Sequence, residues 1–313
     1  MELALDSIRS RYSVRTYDRS PLSGAEEEAL RAAFQEALPA PFGTSPRFAL
    51  VAAEAAGQAA KMGTYGLVSG APAYVVGAAP LVPGGMEDFG YAMEGIVLRA
   101  AELGLGTCWL GGVYDRGRAA RALALREGEA VVAALAVGRP ADRRSLPDRI
   151  VYGLSGARGR KPPSELFFAP PAASGAAPAA APSAAVGQAA AARPDGEGWE
   201  PLPQGSPWLA EPRSELLEAL RLGPSASNKQ PWRLVLEGGA EPALHLYLHE
   251  DQKYNNALGP VKIQLVDMGI AMRHVEAAAL ALGVPGTWRR LPAAPFAATP
   301  PRSYVASFLA GRA

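Results

Sequence analysis

The sequence predicts an α+β protein in which one fold, with mixed central sheets flanked by helices, occurs twice in a single chain. Three observations support this prediction: a motif that recurs at a constant spacing, a second segment that recurs near the end of each copy, and an alanine- and proline-rich stretch between the copies. The 313 residues are also enough for about two domains.

The recurring motif reads Asp88-Phe-Gly-Tyr-Ala-Met93 in the first copy and Asp267-Met-Gly-Ile-Ala-Met272 in the second. Each copy continues through an apolar run to a tryptophan, Trp109 or Trp288. Subtracting 88 from 267, or 109 from 288, gives the same offset of 179 residues. Because solenoid repeats are much shorter, this repeat indicates two domain-sized halves, as in a fused dimer.

The motif opens a predicted helix in each copy, at 89–103 and at 268–282. Both helices carry apolar residues on most faces, so we expect them to be buried partners where the halves meet. Asp88 and Asp267 are expected to cap their N-termini, because an aspartate accepts hydrogen bonds from the amides of the first turn. The tryptophans that follow are interpreted as core residues rather than as platforms for a substrate.

The other elements follow from local patterns. Early helices are predicted from the capping box Ser23-Gly-Ala-Glu26 to about Leu38, and from near Ser214 to the Gly223-Pro224 stop signal. Three strands are predicted in each copy, at 48–52, 73–77 and 131–138 and at 232–237, 244–248 and 304–311. The last strand of each copy lies where Val131–Arg139 resembles Tyr304–Arg312, and its continuous apolar run is typical of a sheet covered on both faces.

The stretch between the copies, residues 169–198, is predicted to be a linker. It contains little besides Ala, Pro, Gly and Ser, and such a segment cannot bury enough surface to offset its loss of conformational entropy. A polyalanine helix is the alternative, which its prolines disfavour. The predicted halves are therefore 1–168 and 199–313.

Composition excludes several classes of function. Hydrophobic residues make up 49% and charged residues 19% of the chain, which is enough to bury ordinary cores. The net charge of +1 gives no field for a nucleic acid or an anionic membrane. The single cysteine, Cys108, cannot form a disulfide within the chain, and the N-terminus lacks the pattern of a signal peptide. We expect a cytoplasmic protein without a membrane or nucleic-acid partner.

A basic segment near the N-terminus is the first candidate binding element. Arg11, Ser13 and Arg15 occupy every second position, with Tyr12 between them. In an extended chain this spacing places the three side chains on one side, where two guanidinium groups and a hydroxyl suit a phosphate. A solvated basic N-terminus is the alternative interpretation.

A loop between a predicted helix and a predicted strand is the second candidate. It reads Pro224-Ser-Ala-Ser-Asn-Lys-Gln-Pro-Trp232. Its Pro, Ser and Asn residues fix a turn, and the backbone N–H groups and the Asn228 amide can face a planar polar ring. An ordinary helix-to-strand connection is the alternative, which so particular a pattern disfavours.

Together the motifs resemble a known family. Arg11-Tyr-Ser-Val-Arg15, the loop Pro224–Trp232 and Leu103-Gly-Leu-Gly-Thr-Cys-Trp109 are similar to segments of the FMN-dependent nitroreductase superfamily. The tandem arrangement resembles its single-chain duplicated subgroup, the "putative TM nitroreductases". The resemblance covers nearly everything outside the linker, and it implies the nitroreductase fold twice in one chain, as a pseudo-dimer.

In that superfamily two identical subunits form two FMN sites at their interface. The residues that the resemblance implies around the phosphate are Arg11, Tyr12, Ser13 and Arg15. The residues that it implies in the turn beside the flavin ring and ribityl chain are Pro224, Ser225, Ala226 and Asn228. The first set belongs to half one and the second to half two, so the implied site is shared between the halves.

The reciprocal elements are missing from the sequence. Half two has no Arg-x-Ser-x-Arg segment. When the loops are aligned on the proline before the next strand, half one has Ala40 in place of Ser225 and Gly43 in place of Asn228. The resemblance therefore implies one FMN per chain, with the other site lost.

The resemblance implies further site residues. Arg160 and Lys161 match the basic segment that ends typical members and helps to bind the phosphate. Leu110 and Gly111 align with the segment that passes beside the flavin ring, where a backbone donor is the expected contribution because Leu110 replaces an acidic residue. Thr64–Gly66 either borders the ring or forms a buried helix end.

The implied activity is that of an FMN-dependent NAD(P)H oxidoreductase that reduces a small nitro, quinone or related acceptor. FMN carries the hydride chemistry, with NADH or NADPH as electron donor, so no catalytic side chain is expected. No metal site is predicted. The alternative is a non-enzymatic FMN-binding carrier or sensor, and a third interpretation is a pseudoenzyme without flavin. A pseudo-dimer of this kind can function as a monomer.

Overall fold

The computed structural model of the chain describes residues 2–53, 68–112, 114–142, 159–171, 199–239, 242–284 and 286–310. The helices are α1 Glu2–Ser10, α2 Gly24–Glu36, α3 Gly85–Glu102, α4 Arg116–Leu123, α5 Pro163–Leu166, α6 Arg213–Leu222, α7 Gln252–Asn255 and α8 Ile263–Ala281. The strands are β1 Arg47–Ala52, β2 Ala73–Pro80, β3 Gly106–Leu110, β4 Glu129–Gly138, β5 Phe167–Ala169, β6 Glu200–Pro201, β7 Trp232–Glu237, β8 Ala243–His249, β9 Gly286–Arg289 and β10 Arg302–Ala310.

The strands form two sheets that repeat the same order. The first sheet has the order β1-β2-β4-β3, and the second contains the matching order β7-β8-β10-β9. All of these neighbours are antiparallel. The second sheet is mixed because β5 pairs with β7 in parallel, and the first gains a parallel bridge between Ser13 and Thr107. The duplicated α+β fold is thus confirmed.

Most predicted elements are present, with small shifts at their ends. The capping box at Ser23 and Glu26 is confirmed, since the Ser23 side chain accepts from the Glu26 amide and the Glu26 carboxylate accepts from the Ser23 amide. The helix that it opens ends at Glu36 rather than at Leu38. The strand β4 is fully buried from Val131 to Gly138, as its apolar run predicts.

The helices of the repeated motif, α3 and α8, pack directly against each other. A Cβ atom on Gly90 would lie 2.0 Å from the carbonyl oxygen of Val266, and one on Gly269 would lie 1.8 Å from that of Glu87. The two glycines are therefore required for the close approach of the two backbones. The predicted partnership of the two helices is confirmed.

The prediction that Asp88 and Asp267 cap these helices is wrong. The helices begin earlier, at Gly85 and at Ile263, so both aspartates lie inside them. Each carboxylate instead accepts from the backbone of a neighbouring loop: Asp88 from the Phe42 and Thr44 amides, and Asp267 from the Ala226 amide. A residue that looks like a cap in sequence therefore stabilises a distant loop.

Both ends of half one cross over to half two. Ile8 of α1 belongs to the same core cluster as Leu217 and Leu220 of α6. The predicted boundary at residue 168 falls within β5, which pairs with β7 in the second sheet. Residues 172–198 of the predicted linker lie outside the described residues. Among the helices in the described ranges, none is long and apolar enough to cross a membrane.

Candidate functional site

A cavity of about 830 Å³ lies where the two halves meet, which is within the range of about 300–1,000 Å³ typical of sites for small ligands and cofactors. Half one contributes the segment 9–13, Arg15, the end of β3 and Arg160. Half two contributes the turn 224–228 and parts of α7 and α8. The cavity is therefore a property of the junction between the halves.

Both predicted binding motifs line this cavity. The predicted site residues along its wall are Arg11, Tyr12, Ser13, Arg15, Gly111, Arg160, Pro224, Ser225, Ala226 and Asn228. The structure thus brings together two motifs that lie in opposite halves of the sequence. Leu110 and Lys161 are not among the lining residues.

The basic motif lies on an extended segment beside β3. The Val14 amide donates to the Thr107 carbonyl oxygen at 2.8 Å, and Val14 is buried in the core below the cavity. Side chains alternate along an extended chain, so Arg11, Ser13 and Arg15 line the cavity on the other side. This is the arrangement that the spacing of the motif predicts.

Arg11 and Arg160 are partly buried, and they lie close enough for their charges to repel each other. Arg160 donates to Asn228 Oδ1 at 3.1 Å, and burial, followed by the charges of Arg11 and Arg221, lowers the pKa of Arg160 to about 10. Burial also lowers the pKa of Arg11, against the opposing charge of Glu94. Arg11 Nε has no hydrogen-bond partner within the described part of the chain. An anion between these groups would relieve the repulsion and pair with the free donor.

The turn of half two shares a hydrogen bond and one positive φ with its counterpart in half one. The Asn228 amide donates to the Ser225 carbonyl oxygen at 2.9 Å, and the Gly43 amide donates to that of Ala40 at 3.0 Å. Asn228 and Gly43 both adopt positive φ, of 53° and 77°. These two features support the alignment that pairs Asn228 with Gly43. Ser227 and Gln230 adopt positive φ only in half two, so the turns differ in backbone as well as in the side chains that they present.

The Asn228 amide also contacts half one directly. Its Nδ2 donates to the Gly159 carbonyl oxygen at 2.8 Å, while its Oδ1 accepts from Arg160. Ser225 Oγ accepts from the Gln230 amide at 2.9 Å. These bonds fix the turn and the segment 159–160 to each other, so Asn228 orients Arg160 as well as lining the cavity.

Two predicted site residues lie beside the cavity rather than on its wall. The Leu110 side chain is buried in the core with Tyr17 and Leu123. The Lys161 amide donates to Gln230 Oε1 at 2.8 Å, and its Nζ lies 4.0 Å from a Glu165 oxygen. Thr64–Gly66 lies outside the described residues.

A buried hydrogen-bond chain reaches the cavity from half two. Trp109 packs against the core, as predicted, and also lines the cavity. It donates through Nε1 to Glu94 Oε2 at 2.9 Å. Glu94 Oε1 lies 2.9 Å from His274 Nε2, and His274 Nδ1 lies 2.8 Å from the Ala219 carbonyl oxygen. Because a carbonyl only accepts, Nδ1 carries a proton, and a second proton must lie between Nε2 and Glu94. The sequence interpretation missed this chain.

The sequence interpretation also missed one wall of the cavity. Ile263, Val266, Asp267 and Ile270 of α8 all line it. They follow the spacing i, i+3, i+4, i+7, which places them on one helix face. The carboxyl group of Asp267 within this otherwise apolar face was the feature of the sequence that could have indicated a binding surface. In the described ranges, no three His, Cys, Asp or Glu side chains lie close enough to bind a metal ion together.

Side chains occupy the region that the repeat relates to the cavity. At the offset of 179 residues, the cavity-lining residues Gly111, Val266 and Ile270 correspond to Arg290, Glu87 and Tyr91. Arg290 pairs with Glu87 at 2.8 Å, and its guanidinium lies 4.1 Å from the ring centroid of Phe42. An arginine and its partners therefore lie where the other copy has a glycine and open space.

Comparisons with known proteins agree with this fold. The structure of a putative nitroreductase from Thermotoga maritima is similar over 98% of this chain and 92% of that chain, with 15% identity and a TM-score of 0.53. A putative nitroreductase in complex with FMN from Desulfovibrio desulfuricans covers 47% of this chain and 94% of its own, at 26% identity and a TM-score of 0.38. A putative NADH oxidase from Clostridium acetobutylicum covers 44% and 90%, at 24% identity and a TM-score of 0.37.

The first match spans nearly the whole of both chains. No match to this sequence was found among the curated proteins. The sequence model of the family described as "Putative TM nitroreductase" matches residues 4–185 and 207–279, which is more than half of the chain. This chain belongs to the putative TM nitroreductase family.

Proposed function

We propose that this protein is an FMN-dependent NAD(P)H oxidoreductase of the nitroreductase type, with one FMN bound between its two halves. The proposal rests on family membership and on the chemistry of the cavity. The observation that carries it is the convergence of buried guanidinium groups from half one with the Ser225–Asn228 turn of half two.

The phosphate of FMN suits the basic end of the cavity. Arg11 Nε has no hydrogen-bond partner among the described residues, and Arg160 lies near enough that the two charges repel in the absence of an anion. Charge-assisted hydrogen bonds to a phosphate would satisfy both groups, with the Ser13 hydroxyl as a further donor. Arg15 lines the same wall.

The other end of the cavity suits a flavin ring. Ile263, Val266 and Ile270 form an apolar wall on which a flat ring can pack, and Gly111 leaves its backbone accessible. The turn beside them presents polar groups in a fixed conformation. When bound, FMN would supply the hydride chemistry, while these residues bind it, orient it and exclude water.

Reconstitution tests the proposal. We expect the purified chain to retain FMN after gel filtration, NADH or NADPH to bleach its absorbance without oxygen, and a quinone or nitroaromatic to restore it. Failure to retain FMN would contradict the proposed site. Retained FMN that neither nucleotide reduces would contradict the enzyme and support a carrier or sensor.

A further inference from the structure

Asp267 lies on the cavity wall with one carboxyl oxygen unpaired. Its Oδ1 accepts from the Ala226 amide at 2.9 Å. Its Oδ2 has no hydrogen-bond partner among the residues that the structure describes, although the residue is only 1% exposed. Buried polar atoms in proteins are nearly always paired, so this oxygen marks a position where a ligand atom completes the structure.

The repeat supplies an internal comparison. Asp88 is the counterpart of Asp267 in half one, and it uses both oxygens within the protein: Oδ1 accepts from the Phe42 amide at 2.9 Å and Oδ2 from the Thr44 amide at 2.8 Å. Asp267 stabilises its loop through one amide instead of two. Asp267 Oδ2 therefore does not hold the neighbouring loop, and Asp267 belongs to half two, whose turn lines the cavity.

Asp267 is suited to act as a donor rather than as an acceptor. Burial raises the pKa of its carboxyl well above the ordinary value of 3.8, and the Ala226 amide opposes this shift only partly. Because Oδ1 accepts from an N–H, the proton belongs on Oδ2. The other charged or titratable groups that line the cavity are Arg9, Arg11, Tyr12, Arg15, Cys108, Arg160 and Tyr254, and Glu94 of α3 lies near Arg11.

We infer that Asp267 is a ligand-binding residue whose protonated Oδ2 donates a hydrogen bond to an acceptor atom of the flavin beside the Ser225–Asn228 turn. The inference rests on the proposed function, because it takes the flavin as the ligand. It predicts that Asp267 contributes equally to the binding of FMN and of riboflavin, because its hydrogen bond goes to the part that they share and not to the phosphate.

Titration of the flavin-free protein with FMN and with riboflavin tests this. Asp267→Asn keeps an acceptor for the Ala226 amide and presents an NH₂ donor to the cavity, so its Kd values should stay within about threefold of wild type. Asp267→Ala removes the donor and should weaken FMN and riboflavin by the same factor, about tenfold. Tenfold weaker binding by Asp267→Asn would overturn the inference, because it would show an ionised acceptor. Unchanged binding by Asp267→Ala would also overturn it.

Asp88→Asn is the matched control. An asparagine there cannot accept from both the Phe42 and Thr44 amides, so it should lower thermal stability while leaving the flavin Kd of the folded protein unchanged. Wild-type protein that binds neither FMN nor riboflavin would contradict the proposed function. Wild-type binding combined with an ineffective Asp267→Ala would contradict only the role of Asp267.

A direct observation of the carboxyl group needs no flavin chemistry. Burial raises the pKa of both Asp88 and Asp267 above the ordinary value, and that of Asp267 well above it. Carboxyl ¹³C NMR of the full chain should therefore show an aspartate signal that stays protonated above the ordinary range and that Asp267→Asn, but not Asp88→Asn, removes. The spectrum of Asp267→Asn shows how the other carboxyl groups titrate, and the wild-type spectrum is compared with it. Absence of such a signal from both the free and the FMN-bound protein would overturn the inference, even if Asp267→Ala fails to fold.

Discussion

Gly90 and Gly269 lie opposite each other at the junction of the halves, and each allows a backbone carbonyl of the other repeat helix to approach. The carbonyl facing Gly90 belongs to Val266 and the one facing Gly269 belongs to Glu87. Both the glycines and the carbonyls are 179 residues apart, so one contact is made twice around a pseudo-two-fold axis. A symmetric contact of this kind is what a fused dimer preserves.

Alanine at either position should destabilise the protein strongly. A methyl group would lie within 2.0 Å of a carbonyl oxygen, and a helix backbone cannot rotate away as a side chain can. We expect a loss in unfolding free energy at or above the upper end of the about 1–3 kcal/mol typical of overpacking, measured by urea denaturation. Gly24→Ala is the control, because a methyl group there meets no atom within 4 Å. Equal stability of Gly90→Ala and wild type would contradict the contact.

The two copies should differ in flavin binding. Arg290, Glu87 and Phe42 occupy the region equivalent to the cavity. Equilibrium dialysis should therefore saturate at one FMN per chain, because the side chains of Arg290, Glu87 and Phe42 would compete with a second flavin for that region. Binding of a second equivalent with similar affinity would refute this asymmetry.

The buried arginines should act on the phosphate of FMN. Removing a charge-assisted hydrogen bond costs about 1.5–3 kcal/mol, so Arg11→Ala and Arg160→Ala should each weaken FMN by that amount in a fluorescence titration. Riboflavin, which lacks the phosphate, should bind both variants nearly as it binds wild type. Arg31→Ala is a control, since Arg31 lies on the surface beside Glu27. Equal losses for riboflavin would place the arginines elsewhere on the ligand.

The buried pair of His274 and Glu94 should contribute strongly to stability. Both side chains are fully buried, and they join α8 of half two to α3 of half one. His274→Leu leaves the Glu94 carboxylate without this partner, and breaking a buried pair in this way costs about 3–5 kcal/mol. His249→Leu should cost less, because that ring is half-buried and its Nδ1 has no partner in the described ranges. Similar unfolding free energies for the two variants would argue against the pair.

Asp267 should make the flavin-free protein less stable as pH rises. Its pKa in the folded protein lies above the ordinary value of 3.8. Between these two values the folded state binds more protons than the unfolded state, so stability falls with increasing pH. The contribution is fully favourable below about 3.8 and is lost as pH rises through the folded pKa. Asp267→Asn should remove this component from a series of thermal unfolding curves, and an unchanged pH profile would count against it.

Much of the fold could be predicted from the sequence because its signals are local or repeated. The capping box at Ser23, the strand β7 at Trp232–Glu237 and the stop at Gly223 depend on neighbouring residues. Side chains at every second position of an extended segment lie on the same side. The sequence could therefore predict that Arg11, Ser13 and Arg15 face one side together.

The remaining features depend on contacts between residues that are not neighbours in the sequence. Asp267 has the sequence context of a helix cap, yet the helix begins four residues earlier and its carboxyl faces the Ala226 amide. Trp109 packs against the core as predicted, and it also lines the cavity and donates to Glu94. These contacts do not follow from local pattern, because each depends on a residue outside the local segment.

The sequence by itself determined that one unit occurs twice, that the copies differ in their binding motifs, and that the motif helices pair. These properties follow from the spacing of the repeated residues and from the composition of each segment. The tertiary structure alone decided that Arg290 pairs with Glu87 in the region equivalent to the cavity, and that Asp267, unlike Asp88, keeps an oxygen without a partner among the described residues. The reason is physical: burial and hydrogen-bond distance decide what a side chain does, and both are set by the packing of one half against the other.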